Sequence, residues 1–414
     1  MIGEVLLLSY RNLWRHPRRT IITSIAIGIG IAALIWIHSM LKWANDKSVR
    51  NLIEYETGNF TIMRKDYKKE REDFPVDKAM SREIVDKVMK IAKEISCYAA
   101  PRTAFMSVVS FNRGFGLPYV VYAIDPALDS KVFKIKESIV EGKYLNENSD
   151  GILISSTLKD QLGVKLGDYI TVETRTRYNT YQVLMLKVTG IYETPDPVVD
   201  MNQLFITQKV AEGQLQMEGS STMIAFRSPD ERDEPYLTEV KRLLSRKGLS
   251  NLSILTWREY GKDYLAASEG DKGSSVIIIL FIFIVVAIGI INTMLMAVYE
   301  RVKEVGMLRS LGLKEKYIML SFMFEAGGIG LIGSLIGLVL GIILDAFMVY
   351  HGIDFSSAFK GISYGYRVGT VWYGEWNPEM MVLAVLLGAG LSVIASYIPV
   401  RRAVKIEITE ALRE

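Results

Sequence analysis

Apolar residues in this chain gather into four long runs, at residues 20–41, 275–298, 318–349 and 380–398. The first carries no formal charge, and as a helix its 22 residues would reach roughly 33 Å, enough to cross the hydrocarbon core of a bilayer. Backbone polar groups in hydrocarbon must be paired internally, so each run is predicted to be a transmembrane helix. A cleaved signal peptide would have a shorter apolar region ending in a small-x-small site. Met40-Leu41-Lys42-Trp43 offers no such site, so the first run is expected to remain as an anchor. The third run is long enough to be tilted, broken or extended beyond the membrane. The fourth is expected to stop at Pro399.

Residues 42–273 show shorter, mixed periods. Strand-like patterns occupy residues 59–63, 108–111, 119–124, 152–155, 169–174 and 182–192. Helical patterns occupy 81–95, with Ser81 as N-cap, 156–162, closed by Gly163, and 229–244. We find no fixed-period repeat. The expected fold is a membrane α-helical protein of four transmembrane helices with a large α+β extracytoplasmic domain, of one or two subdomains.

Composition agrees. Half of the 414 residues are apolar, and the mean hydropathy is +0.20. That excludes a soluble enzyme, a disordered chain and a collagen-like one. A net charge of +3 gives no argument for nucleic acid, and a single cysteine, Cys97, excludes an intramolecular disulfide framework or a Cys-cluster metal site.

Charge then sets the orientation. Arg11, Arg15, Arg18 and Arg19 precede the first run; Arg301, Lys303, Arg309, Lys314 and Lys316 follow the second; Arg401, Arg402, Lys405 and Arg413 follow the fourth. Residues 42–273 balance 34 Lys and Arg against 34 Asp and Glu, and residues 350–379 hold only Lys360 and Arg367. The expected order is a cytoplasmic amphipathic helix at 1–19, a span at 20–41, the outer domain at 42–273 and a span at 275–298. A cytoplasmic helix at 299–317, a span at 318–349, an outer loop at 350–379, a span at 380–398 and a cytoplasmic tail at 399–414 complete it. Trp36, Trp43, Trp372, Tyr373 and Trp376 fall where an outer interfacial belt would lie.

Catalytic signals are absent from the sequence. There is no P-loop, no G-x-S-x-G and no H-E-x-x-H. Gly270-Asp271-Lys272-Gly273-Ser274-Ser275 has the wrong spacing for a phosphate loop and reads as a linker. His16 and the pair His38 and His351 lie on opposite sides, so no catalytic, cofactor or metal residues are expected. The run 230–234 reads as a solvated mixed-charge loop. Two intramembrane polar residues stand out. Glu325 is a functional candidate whose simpler role is to tie its span to a neighbouring helix or basic loop. Asn292 reads most simply as an interhelical hydrogen bond. Gly330, Gly333, Gly337 and Gly341 form a face for close helix packing, echoed at Gly28/Ala32 and Gly388/Ser392/Ser396. The spacing leaves open whether that packing is within one subunit or between two.

The segment Glu300-Arg301-Val302-Lys303-Glu304-Val305-Gly306-Met307-Leu308-Arg309-Ser310-Leu311-Gly312 resembles the E-R-x-x-E-[IV]-G-x-L-R-[AS]-[LI]-G segment of FtsX-type ABC permeases. Phe324-Glu325, the tail from Pro399-Val400-Arg401-Arg402-Ala403 to Glu410-Ala411-Leu412-Arg413, and the entry from Tyr10 to Thr20 continue the likeness. So do Glu141–Leu145, Gly151–Ile154 and Leu162–Asp168 in the outer domain, which would then be a MacB-like periplasmic core. Thr57–Ile62 and Gly352–Ser356 look most like lipoprotein-releasing permeases of the LolC/LolE type. MacB efflux pumps carry a fused ATPase, and cell-division FtsX permeases have a smaller outer domain.

The resemblance implies a mechanotransmission (type VII) ABC transporter of the cytoplasmic, or inner, membrane. Two permease subunits, of the same or a related chain, would bind two copies of a separate ABC ATPase. ATP and Mg would sit on that ATPase, and no cofactor on this chain. Glu300, Arg301, Glu304, Gly306, Leu308, Arg309, Leu311 and Gly312 would couple to it. By periodicity alone, with Val298, Val302, Val305 and Leu308 on one side, this segment is equally an amphipathic connector on the membrane surface. A lipoprotein or other amphiphile would enter from the outer leaflet, where Ile21, Ile25 and Ile29 would meet acyl chains or equally bulk membrane lipid. The outer domain would pass it to a periplasmic carrier. The alternatives are export of a drug, peptide or amphiphile through a partner duct, and a regulator of cell-wall hydrolases that transports nothing.

Overall fold

The structure is a computed structural model. It describes residues 3, 9, 11–15, 17–112, 114–230, 232–356 and 366–404, without side chains at 267–276, 278 and 403. The expected helix at 1–19 and tail at 399–414 therefore lie largely outside the described residues. The chain forms two compact units, one of Met1–Asn45, Ser268–Ile362 and Thr370–Glu414, the other of Asp46–Ala267 and Ser363–Gly369.

Four candidate spans, Pro17–Thr57, Ile279–Glu300, Glu315–His351 and Pro378–Arg402, are long and apolar enough to cross a membrane; all lie in the first unit except the end of the first span, from Asp46 on. We number them 1 to 4. The helix carrying span 2 begins at Lys262, so the stretch read as a linker is helical. Hydropathy marks where the apolar run begins; a polar sequence can continue the same helix outside it. The last helix runs through Pro399 to Val404 rather than stopping there. Proline removes one backbone donor, and this loss falls in the last two turns of the helix.

Glycine faces set the span packing. A Cβ on Gly333 would lie 2.8 Å from Ser24 O, and one on Gly337 would lie 2.6 Å from Gly28 O. Span 3 therefore meets span 1 backbone to backbone, with Gly341 against Ile35. On span 3's other side a Cβ on Gly330 would strike Ser392 Oγ at 2.2 Å, and one on Gly388 would strike Ser334 Oγ at 2.2 Å, which seats span 4. These glycines meet spans of the same chain. Ile27, Ile31, Leu34, Ile290, Met294 and Ile329 fill the space between.

The second unit contains a split β-α-β pair. Strands β1 (Phe60–Arg64), β2 (Tyr98–Ser110), β9 (Met223–Arg227) and β10 (Leu252–Thr256) stand in the order β10-β1-β9-β2, all antiparallel. That is the 4-1-3-2 order of a ferredoxin-like fold. Helices α1 (Arg82–Glu94) and α2 (Glu234–Arg246) pack on it through Val88, Ile91, Val240 and Leu243, against Phe60, Ile62 and Phe226. Ser81 occupies the α1 N-cap position without a side-chain capping bond.

An insertion between β2 and β9 supplies β3 (Leu117–Ile124), β4 (Ile139–Gly142), β5 (Gly151–Ser155), β6 (Tyr169–Arg175), β7 (Tyr181–Tyr192) and β8 (Gln203–Thr207). They extend the sheet as β2-β3-β8-β5-β7-β4, and β6 bridges β2 and β7. Strands β4, β8, β9 and β10 were not anticipated. Each has only four or five residues, and β8 is buried at every position, so no alternation betrays it. The run 230–234 also departs from expectation: Asp233 is buried and accepts hydrogen bonds from Asn59 Nδ2 (2.7 Å) and Trp257 Nε1 (2.6 Å).

Part of the expected outer loop 350–379 belongs to this unit. Arg367 is buried; its Nε donates to Asp196 Oδ2 (2.8 Å), its Nη2 to Glu56 Oε2 (2.5 Å), and its carbonyl accepts from Asn51 Nδ2 (2.6 Å). Burial raises Asp196 to about 6 in spite of that arginine. Asp200, which accepts from Thr194 N and Thr194 Oγ1, is raised by burial to about 7.

A carboxyl group that holds its proton more tightly when folded stabilises the fold fully below the unfolded value, about pH 4, and loses that contribution as pH rises through the folded value, about 7. Thermal unfolding of the purified protein should therefore show falling stability from pH 5 to pH 8. Asp200→Asn should flatten that slope and stabilise the protein at pH 8 by on the order of 3 kcal/mol. An unchanged slope in the variant would remove Asp200 as its source.

Candidate functional site

Between spans 2 and 3 the helix ending at Glu300 is broken at Arg301 (φ −118°), and a nine-residue helix, Val302–Ser310, follows. It is shorter than the 299–317 expected. Gly312 closes it at φ +87°, with Gly312 N donating to Arg309 O (3.0 Å) and Leu313 N to Leu308 O (3.1 Å). This pair of bonds is a Schellman stop, and its positive φ explains the glycine.

One side of the short helix is clamped. Glu325 in span 3 is 1% exposed; its Oε2 accepts from Arg301 Nη1 at 2.9 Å and its Oε1 from Arg19 Nη2 at 3.3 Å. Arg19 also donates to Glu300 (3.0 Å), and Arg15 to Glu304 (2.7 Å). Three arginines and three glutamates thus form a formally neutral chain joining the entry to span 1, the end of span 2, the short helix and span 3. Arg309 adds a bond to Glu315 at the start of span 3 (3.1 Å). Val302, Val305 and Gly306 are buried on the same side.

The other side is open. Leu308 is 40% exposed, Leu311 79% and Met307 55%. The expected apolar side therefore divides: Val298, Val302 and Val305 face inward, and Leu308 faces out. Of the coupling set, Glu300, Arg301, Glu304, Gly306 and Arg309 hold the helix, Gly312 ends it, and Leu308 and Leu311 are its free apolar residues.

Comparison with known proteins is decisive at this point. The MacB-like periplasmic core domain model matches residues 20–239, and the FtsX-like permease C-terminal model matches residues 276–408, which include this segment. The chain belongs to the FtsX/MacB-type ABC transporter permeases. An ABC transporter permease of Methanocaldococcus jannaschii is 24% identical, over 100% of this chain and 98% of its own. The lipoprotein-releasing system transmembrane protein LolC of Neisseria meningitidis is 27% identical, over 70% of this chain and 71% of its own. The periplasmic region of MacB from Actinobacillus actinomycetemcomitans covers 52% of this chain and 97% of its own, at 13% identity and a TM-score of 0.37. Membership gives a membrane permease with a large extracytoplasmic domain, and implies an ABC ATPase partner and pairing of two permease subunits.

In this permease the remaining expected residues are placed as follows. Ile21, Ile25 and Ile29 are exposed along span 1, and Ile21 lines a notch of about 100 Å³ with Trp14, Ile332 and Ile336. Asn292 does not bridge two spans of the chain. It is exposed, and the hydrogen bond between spans 1 and 2 runs from Thr23 Oγ1 to Thr293 Oγ1 (3.2 Å). One residue is 100° of helix rotation, enough to exchange a packed position for an open one. Arg15, Arg19, Thr23 and Asp345 were missed as site residues. Arg19 stands at the start of an apolar run, and Asp345 is a carboxylate inside one, buried near Ser39 and Gly374; position alone could have flagged both.

Removing one partner of a buried ion pair leaves the other charge without compensation, at a cost of roughly 3–5 kcal/mol. Glu325→Gln should therefore lower the thermal stability of the purified permease, and adding Arg301→Met should recover part of the loss. A Glu325→Gln protein as stable as wild type would show that the clamp does not hold the site.

Proposed function

We propose that this chain is the permease subunit of a mechanotransmission ABC transporter whose helix Val302–Ser310 docks into a separate ATPase subunit. The observation that carries this reading is the pairing of a rigid inner side with a free apolar outer side, Leu308 and Leu311, on one short helix. Two permeases would engage two ATPases, which hold ATP and Mg. Both termini and this helix would be cytoplasmic, as the basic residues favour. ATP-driven closure would then move the spans through the Arg301–Glu325 clamp.

For the cargo we propose a lipoprotein taken from the outer leaflet and passed to a carrier, as the relation to LolC favours. The outer unit has a matching surface. Tyr169, Tyr181, Val183 and Met185 are exposed on one face of the β6–β7 hairpin, beside a groove of about 580 Å³ lined by Phe105, Met106, Val108 and Arg175. Export of another amphiphile through a partner duct is the second reading, favoured by the match to the MacB-like core.

Burying a leucine contributes roughly 1.5–3 kcal/mol, and Leu308→Asp would replace that gain with an unpaired carboxylate. Affinity for the ATPase should fall by on the order of a hundredfold or more. The measurement is co-purification of the ATPase at equal permease level. Full retention with Leu308→Asp would refute docking by this helix.

A further inference from the structure

Where the chain enters span 1, the membrane unit has a notch in its side. Leu13 is buried, and a Cβ on Gly328 would lie 2.8 Å from its Cδ1, so the entry segment is pressed onto span 3 at that point. A turn follows, with Arg15 N donating to Asn12 O (3.2 Å) and Thr20 Oγ1 to Leu13 O (3.0 Å), and the span 1 helix starts at Pro17. Trp14, 66% exposed, stands out from the turn as one wall of the notch of about 100 Å³. Pro17, Ile21 and Ser24 of span 1 and Ile332 and Ile336 of span 3 form the others. The two hydroxyls that line it, on Thr20 and Ser24, are already spent on backbone carbonyls, Leu13 O and Ile329 O. What remains is an apolar slot.

Positive charge lies at one end of the slot. Residues 11–19 carry four arginines and no acidic residue. Arg15 and Arg19 are paired with Glu304, Glu300 and Glu325. Arg11 and Arg18 are exposed and form no ion pair among the described residues. Arg18 directly follows Pro17 at the mouth, and Ser24 lies six residues further on, about 9 Å along the helix. A slot that starts beside an unpaired cation and runs into the hydrocarbon matches a lipid, with a phosphate at the mouth and an acyl chain along the slot. The apolar walls accept any tail; the arginines choose the headgroup. We infer that this notch holds an anionic glycerophospholipid, with one acyl chain between Trp14 and Ile332 and its phosphate on Arg18, reinforced by Arg11. Its leaflet is the one on the basic side, cytoplasmic in the orientation proposed above, whereas the proposed cargo comes from the opposite leaflet. Seated there, the lipid braces the turn that carries Arg15 to Glu304.

The measurement is made on the full-length permease in phosphatidylcholine nanodiscs, to which either phosphatidylglycerol or phosphatidylcholine with brominated acyl chains is added. Bromine quenches indole fluorescence on contact, and the difference between wild type and Trp14→Phe isolates Trp14 from the other five tryptophans. With two arginines facing the phosphate, half-quenching of Trp14 should need roughly 5- to 30-fold less brominated phosphatidylglycerol than brominated phosphatidylcholine. Arg11→Gln combined with Arg18→Gln, both at exposed positions, should make the two lipids equivalent. Ile332→Phe, which fills the notch, should also abolish the preference. Equal quenching by the two lipids in wild type, a preference that survives the double arginine variant, or a preference untouched by Ile332→Phe would each overturn the inference. Nanodiscs offer the lipid in both leaflets, so the outcome is independent of the orientation, and co-purification of the ATPase with wild type reports separately on the permease reading.

Discussion

A carboxylate held inside a membrane span by two arginines organises one end of the membrane unit. Glu325 is taken out of water, and charge in hydrocarbon is tolerated only when it is paired and shielded. Arg301 and Arg19 supply the pairing from two other segments, the break after span 2 and the entry to span 1. Shielding depends on how closely the spans approach. Gly333 and Gly337 let spans 1 and 3 touch through backbone, so the glycine seam and the ion clasp hold the same pair of spans together. A larger residue at Gly337 would part the helices that bring Arg19 to Glu325.

From that clasp follows the direction of the short helix. Arg301 leaves the helical line of span 2 and is fixed to span 3, so Val302–Ser310 cannot swing as a loose connector would. Glu304 on Arg15 and Arg309 on Glu315 fix it at two further points. Both of those pairs are partly exposed and contribute little stability alone. Their use is geometric: with the inner side held, Leu308 and Leu311 have one direction left to point. Leu308, Leu311 and Glu325 thus belong to one braced assembly with the start of span 3.

The spans were legible in the sequence because a bilayer imposes a length and an apolar content that few soluble segments meet. The outer strands were less legible. Strands β6 and β7 alternate inward and outward residues and were found; β8 is covered on both faces and shows no period. Charge misled in the opposite direction at Asp233, which lies in a charged run and is nevertheless buried on Asn59 and Trp257. Within the segment 300–312, sequence could name the residues but not divide them, because a nine-residue helix anchored by ion pairs has partners far away in the chain. Glu304 and Arg15 are 289 positions apart. Asn292 shows the same limit on a smaller scale: its polarity was visible, and the face it occupies was not.

The outer unit uses buried charge in a similar way. Arg102 is fully buried, donates to both oxygens of Asp129 (2.7 and 3.0 Å), and lies 3.3 Å from the centre of the Phe133 ring. It ties β2 to the helix Pro126–Val132, which follows β3 in the inserted segment. Arg367 does the same for a stretch distant in sequence, fixing its own segment to Glu56 and Asp196. Neither pair is an efficient source of stability, because burying both charges costs several kcal/mol before their attraction returns it. What each does provide is a penalty for misassembly. An insertion docked in another register would leave Arg102 or Asp129 alone in the core, at a cost of roughly 3–5 kcal/mol. Apolar packing alone tolerates sliding between such segments. Buried ion pairs do not, which is why charge sits at Glu325, Asp129 and Arg367, where segments far apart in the sequence are joined.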